Sequence, residues 1–332
     1  MRRSLGLAAT FLLALPVLAA CSGRTNIGAV PTPPPVVPKV TVEFATTTAN
    51  SGPLAITTGS DGNLWFTENA ASKIGTLKAA GNFNEYPLPS AGTPYGITAG
   101  PDGALWFAEP GTNNIGRITT TGSITEYPLT TPNAGPSFIT TGPDGALWFT
   151  ETTANQIGRI DPRTGLVTEF SSGITAGAGP FSIVLGPDGS LWFTEVNSSK
   201  IGRITSAGSV TEYPTVTANA APYQIVLGTD GALWFTERTA VKLGRITTAG
   251  MVTELPLAPA KSAAGLILAA DNNFYFTDSA NNSIGQATPA GAVKEFAITT
   301  ASSQPTFMAL GPDQRIYFTE NAVSKIAQFS YF

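Results

Sequence analysis

A ten-residue phrase of the form Gly-Pro-Asp-Gly-Ala-Leu-Trp-Phe-Thr-Glu, or a close variant, recurs seven times in this 332-residue chain. Its turn aspartates are Asp61, Asp102, Asp144, Asp188, Asp230, Asp271 and Asp313. They are spaced by 41, 42, 44, 42, 41 and 42 residues. A period of about 40 residues with several short aromatic strands in each unit is the pattern of a β-propeller built from four-stranded blades. In the third unit the strand signals are Pro136–Gly142, Leu147–Glu151, Ile157–Ile160 and Val167–Phe170. Turns rich in Pro, Asp and Gly separate them, as in a hairpin meander, and no helical period is sustained. From the central axis outward, the expected strands read PxxIxxG, LWFTE, IGRI and TEYPL.

The seventh unit has three of these strands and lacks the outer one, whereas Val40–Phe44, an outer-type segment, precedes the first unit. The expectation is an all-β, seven-bladed propeller over residues 40–332, with residues 40–44 completing the last blade and closing the ring. Closure removes an unpaired edge and makes the units one cooperative domain. Trp65, Trp106, Trp148, Trp192 and Trp234 occupy one blade position, with Tyr275 and Tyr317 in the last two units. A residue required in every blade serves the packing between blades.

Residues 1–20 read as a signal peptide, with a basic start at Arg2-Arg3 and an apolar core from Leu5 to Leu18. Leu18-Ala19-Ala20-Cys21 resembles a bacterial lipobox, in which the cysteine is acylated and becomes the mature N-terminus. Cys21 is the sole cysteine, so no disulfide forms within the chain. Residues 21–39, with five prolines from Pro31 to Pro38, read as the lipidated cysteine and a semi-extended tether. The expected location is the cell envelope, lipid-anchored and outside the cytoplasm, on the outer membrane if the source is Gram-negative.

With Arg2 and Arg3 removed, 16 basic and 22 acidic residues remain. Nothing resembles a basic stripe, so nucleic acid is not an expected partner; the expected state is a monomer. Of the acids, seven are the turn aspartates. Seven end the second strand: Glu68, Glu109, Glu151, Glu195, Glu237, Asp278 and Glu320. Seven lie on the outer strand, where they are expected to keep the rim soluble: Glu43, Glu85, Glu126, Glu169, Glu212, Glu254 and Glu295. The second-strand acids are expected near the channel mouth, held by loop backbone or by Arg117, Arg159, Arg203 and Arg245. Glu195, Glu237, Asp278 and Glu320 are the candidate ligands for Mg²⁺ or Ca²⁺. The chain has no histidine, which excludes His-based triads, His bases and His-containing zinc sites.

At GPDGALWFTE, NxIGRIT and GSITEYPL the chain resembles the streptogramin B lyase (virginiamycin B lyase) family across residues 40–332. The resemblance implies a seven-bladed propeller and Mg²⁺-dependent elimination that opens a cyclic depsipeptide, with histidine as base. The family's histidines follow the first-strand proline in the last two blades; the matching positions here are Gly265 and Thr306. A family glutamate before the last of these prolines is matched by Gln304, and another falls near Glu320-Asn321. These departures predict a ligand- or protein-binding module without the antibiotic-lyase chemistry. The alternative is a Mg- or Ca-dependent lyase or hydrolase acting on a cyclic or ring-bearing substrate at an acidic mouth. Positions after the first-strand proline vary most from blade to blade, and Tyr95, Ser137, Phe181, Tyr223, Gln304 and Thr306 are the candidate ligand-binding residues.

Overall fold

The computed structural model describes residues 37–332; the signal peptide, Cys21 and most of the tether lie outside the described residues. Seven four-stranded antiparallel sheets form the propeller. Blade 1 shows the common plan, running outward from the axis through Pro53–Thr58, Leu64–Glu68, Lys73–Leu77 and Phe83–Pro87. Blade 7 is completed by the N-terminal strand Lys39–Ala45, which pairs antiparallel with Lys325–Ser330. The expected closure is thus present, one residue longer at each end than residues 40–44. Among the described residues no helix is long and apolar enough to cross a membrane.

The second strand is buried on both faces in blades 1–6, and in blade 7 at every position but Tyr317, because its alternating side chains serve two neighbours. Trp106 and Ala108 of blade 2 pack with Leu147 and Phe149 of blade 3. Trp192 of blade 4 meets Leu233 and Phe235 of blade 5 in the same way. Tyr275 of blade 6 meets Ile316 and Phe318 of blade 7. The Trp position therefore does pack between blades, and it also stacks on the outer strand, as Trp148 does on Phe170 with ring centroids 5.4 Å apart.

The arginines are not partners of the second-strand acids. Arg117, Arg159, Arg203 and Arg245 pair instead with the turn aspartates Asp102, Asp144, Asp188 and Asp230, at 2.6–2.7 Å. Each of those aspartates also accepts from the indole Nε1 of its blade's tryptophan, as Asp144 does from Trp148 at 3.0 Å. The last two blades keep the network with a different pair of donors. Tyr317 Oη donates to Asp313 at 3.1 Å, and Gln328 Nε2 donates to that phenol at 2.5 Å. Tyr275 and Gln286 repeat this on Asp271. Tyr and Gln thus replace Trp and Arg together, which accounts for the missing arginine in blades 6 and 7.

Candidate functional site

The first strand of a blade begins with a bulge. In blade 1, Pro53 pairs with Glu68 and Ile56 with Phe66, so two residues oppose the single Thr67. Thr67 Oγ1 accepts from the Ala55 backbone N–H at 3.0 Å and donates to the Tyr95 carbonyl of blade 2 at 2.8 Å. Threonine repeats this outward bond at Phe181, Tyr223, Ala264, Thr306 and Leu54, so the hydroxyls hold the channel-lining strands in place around the ring.

This ring of bonds corrects the register in blade 6. Leu266 pairs with Phe276 as Ile56 pairs with Phe66, so Ala263 takes the proline position and Ala264 the position after it. Gly265, matched to a family histidine on sequence, is one residue further on. Its N–H donates to the Thr306 carbonyl at 3.1 Å, and an added Cβ would stand 2.4 Å from that oxygen. Glycine is required there by the close approach of blades 6 and 7. The missing proline in Ala263-Ala264-Gly265 hid the alignment, although the eight-residue offset from Asp271 was available to restore it.

Both residues of the bulge reach the axis, and together they fill it. Tyr95, Phe181 and Tyr223 come from the position after the proline, and Phe138 and Phe307 from the next. Phe138 and Phe307 are 5.0 Å apart between ring centroids, as are Phe138 and Phe181. Phe181 stacks on Tyr223 at 4.3 Å, and Tyr95 lies edge-on to Phe138 at 5.6 Å. These contacts span blades 2, 3, 4, 5 and 7, so an aromatic plug crosses the channel. Burial, with the Tyr223 phenol alongside, pushes the Tyr95 hydroxyl far above the usual phenol range. Phe138 and Phe307 were not among the sequence candidates. Their signal was a Pro-x-Phe in two blades where three others have Pro-Phe or Pro-Tyr, and only the bulge makes the two patterns equivalent.

Against this plug lies a cavity of about 290 Å³. It is lined by Tyr223 and Phe307, by Arg238 and Ala264, and by Gln304 and Thr306, with Leu54 and Ser279 also at its wall. Of the six sequence candidates, then, Tyr223, Gln304 and Thr306 line the cavity, while Tyr95 and Phe181 lie in the plug. Ser137 is not part of the lining; its hydroxyl is 2.7 Å from that of Thr152. Arg238 was missed, because one arginine after Trp-Phe-Thr-Glu carries no pattern by itself. Its guanidinium carbon is 5.1 Å from the centroid of the Tyr223 ring.

The second-strand acids do not form the expected acidic mouth. Glu195, Glu237, Asp278 and Glu320 are fully buried inside their own blades, as are Glu68, Glu109 and Glu151. Their side chains share a face with the apolar first and third residues of the strand, and in blades 2 and 3 the carboxyl turns outward over the glycine of the third strand. An added Cβ on Gly116 would lie 2.5 Å from Glu109 Oε1. Burial, reinforced by the outer-strand glutamate, pushes Glu109 up to about 7 and Glu237 up to about 8. Burial is also the leading cause in Glu195 and Glu320, each raised to about 7.

The outer glutamates, expected on an exposed rim, are instead anchored. Glu254 accepts from Lys242 Nζ at 2.8 Å and from the Thr217 backbone and hydroxyl at 2.7 and 2.6 Å. Burial raises its pKa, but these donors outweigh that and hold it down at about 2. Each blade thus carries a buried acid facing an anchored one. These residues do not fit a divalent cation. Among the described residues no three acidic side chains converge on one point, and the four candidates belong to four different blades.

The fold and the cavity at the end of its channel define a class, the seven-bladed propellers with a plugged axis and a ligand-sized mouth. The virginiamycin B lyase family profile matches residues 36–263 and, overlapping these, 163–331, and the chain belongs to that family. It is similar to a solved streptogramin B lyase at 35% identity, covering 87% of this chain and 96% of that one, with a TM-score of 0.82. The virginiamycin B lyase of Staphylococcus aureus is 36% identical, with 88% and 99% covered and a TM-score of 0.83. A catalytically inactive histidine-to-alanine form of that enzyme, solved with quinupristin, matches equally well. Kuenenia stuttgartiensis hydrazine synthase, at 16% identity and a TM-score of 0.70, shares the fold alone. No curated protein matched the chain.

Proposed function

We propose that this propeller binds a small ligand at the mouth of its channel and lacks the histidine-based elimination of its relatives. The observation that carries the reading is the composition of the cavity. It combines aromatic faces at Tyr223 and Phe307, a cation at Arg238 and polar groups at Gln304 and Thr306. A concave, partly apolar site with a few convergent polar groups is what small-molecule recognition requires. Proton abstraction requires a base, and the relative whose histidine was replaced by alanine is catalytically inactive. Here the positions after the first-strand proline in blades 6 and 7 are Ala264 and Thr306, and the chain has no histidine to substitute. Incubating the purified protein with a type B streptogramin and following the drug by mass spectrometry tests this. The drug is expected to stay cyclic, and accumulation of a linear product overturns the reading.

Family membership favours a second reading, a Mg²⁺- or Ca²⁺-dependent lyase or hydrolase acting on a ring-bearing substrate. An ion that binds only the native state must raise its stability. Under the second reading millimolar Mg²⁺ or Ca²⁺ raises the melting temperature of the protein. Under the first, the ions leave it unchanged. The proposed location is the cell envelope, by acylation of Cys21; palmitate labelling that survives Cys21→Ser counts against it.

A further inference from the structure

The residue after the second-strand acid ties neighbouring blades together in three of the seven blades. In blades 1, 3 and 7 the side chains of Asn69, Thr152 and Asn321 donate to the proline carbonyl that opens the next blade, at 3.1, 2.6 and 3.2 Å. In blade 5 the residue is Arg238, and the next blade has Ala263 in place of the proline. Arg238 makes no such bond. The other six described arginines, Arg117, Arg159, Arg163, Arg203, Arg245 and Arg315, all pair with an aspartate. Arg238 has neither an ion-pair partner nor a side-chain hydrogen bond among the described residues, and it lies against the Tyr223 ring instead.

A guanidinium placed over an aromatic face keeps its N–H donors in its own plane, where they form a fork matched to a carboxylate. Tyr223 and Phe307 lie within 9° of parallel, with centroids 6.1 Å apart, and offer an apolar surface beside that fork. Resting on the proposal that the mouth binds a small ligand, we infer that the ligand is an organic carboxylate with a ring-bearing or apolar body. Arg238 holds the acid group and the Tyr223–Phe307 surface holds the body. This sets the chain apart from a binder of a neutral cyclic peptide, and it assigns the specificity to a residue that only blade 5 supplies.

The test uses phenylacetate and indole-3-acetate, their primary amides, and phenyl phosphate, titrated into the protein with ligand-observed NMR. The acids are expected to bind at least about tenfold more tightly than the amides. Arg238→Gln is expected to abolish that difference, while the exposed, unpaired side chain makes the variant safe for folding. Acids and amides binding equally, with Arg238→Gln moving neither, overturns this inference and leaves a binding mouth in place. No binding of any probe overturns both readings. Phenyl phosphate binding more tightly than both acids overturns the carboxylate assignment in favour of simple attraction to charge.

Discussion

Glu151 offers a direct measure of what the buried acids do to the fold. It is fully buried in blade 3, its Oε2 accepts from Gln156 Nε2 at 2.6 Å, and its Oε1 has no partner. Burial dominates, with the Glu169 charge adding to it, and raises the group from 4.5 to about 7 despite the Gln156 bond. The folded protein therefore binds this proton more tightly than the unfolded chain does. Such a group costs nothing below the unfolded pKa of about 4.5, and its cost grows as pH rises to the folded value. Near 1.4 kcal/mol per pKa unit, the shift amounts to about 3 kcal/mol of stability lost between pH 4.5 and 7. Glu151→Gln keeps the oxygen that accepts from Gln156 and removes the ionisation. Urea unfolding from pH 4 to 8 is thus expected to show the two proteins converging at the acid end. By pH 7–8 the variant is expected to lead by about 3 kcal/mol, or half that if water reaches the opened site. Stability curves that stay parallel across this range refute the reasoning, because they mean that Glu151 titrates alike in both states.

Three further outcomes follow from the packing. Gly158→Ala would place a Cβ 2.1 Å from the Phe149 ring, so unfolding should show a loss of about 1–3 kcal/mol; Ala327 occupies the same register in blade 7 opposite Phe318, so Ala327→Gly should not gain a comparable amount. Trp148→Tyr and Arg159→Gln should each destabilise blade 3, and the double variant, which copies blade 7, should lose less than the sum, by at least about 0.5 kcal/mol in a double-mutant cycle. Lys325→Met, which removes the 2.7 Å bond to Glu43 and leaves that carboxylate half-buried, should loosen the closing strand; hydrogen exchange should rise along Lys39–Ala45 before it rises in blades 2–5.

Much of this structure was legible because repetition multiplies a weak signal. One LWFTE segment is an ambiguous apolar run, but seven at a fixed period specify a propeller, and the orphan Val40–Phe44 strand specifies its closure. The acids were harder to read. A carboxylate after Trp-Phe-Thr suggests a polar mouth when the strand is considered alone. Strand parity instead puts it on the face of Leu and Phe, and the neighbouring blade seals that face. The arginine partners were misassigned for a related reason: Arg159 pairs with Asp144, fifteen residues earlier, because the second and third strands run antiparallel and bring their ends together.

Sequence alone determined the blade number, the strand order within a blade, the interlocking role of tryptophan and the absence of a histidine base. All of these depend on local pattern or on composition. The tertiary structure decided which side chains meet at the axis. A one-residue bulge turns two consecutive positions inward, and ring closure brings Phe138 within 5.0 Å of Phe307 across 169 positions of chain. It also decided that Arg238 faces Tyr223 instead of an aspartate. Neighbours of that kind are set by how seven blades close around one axis, and no single repeat contains them.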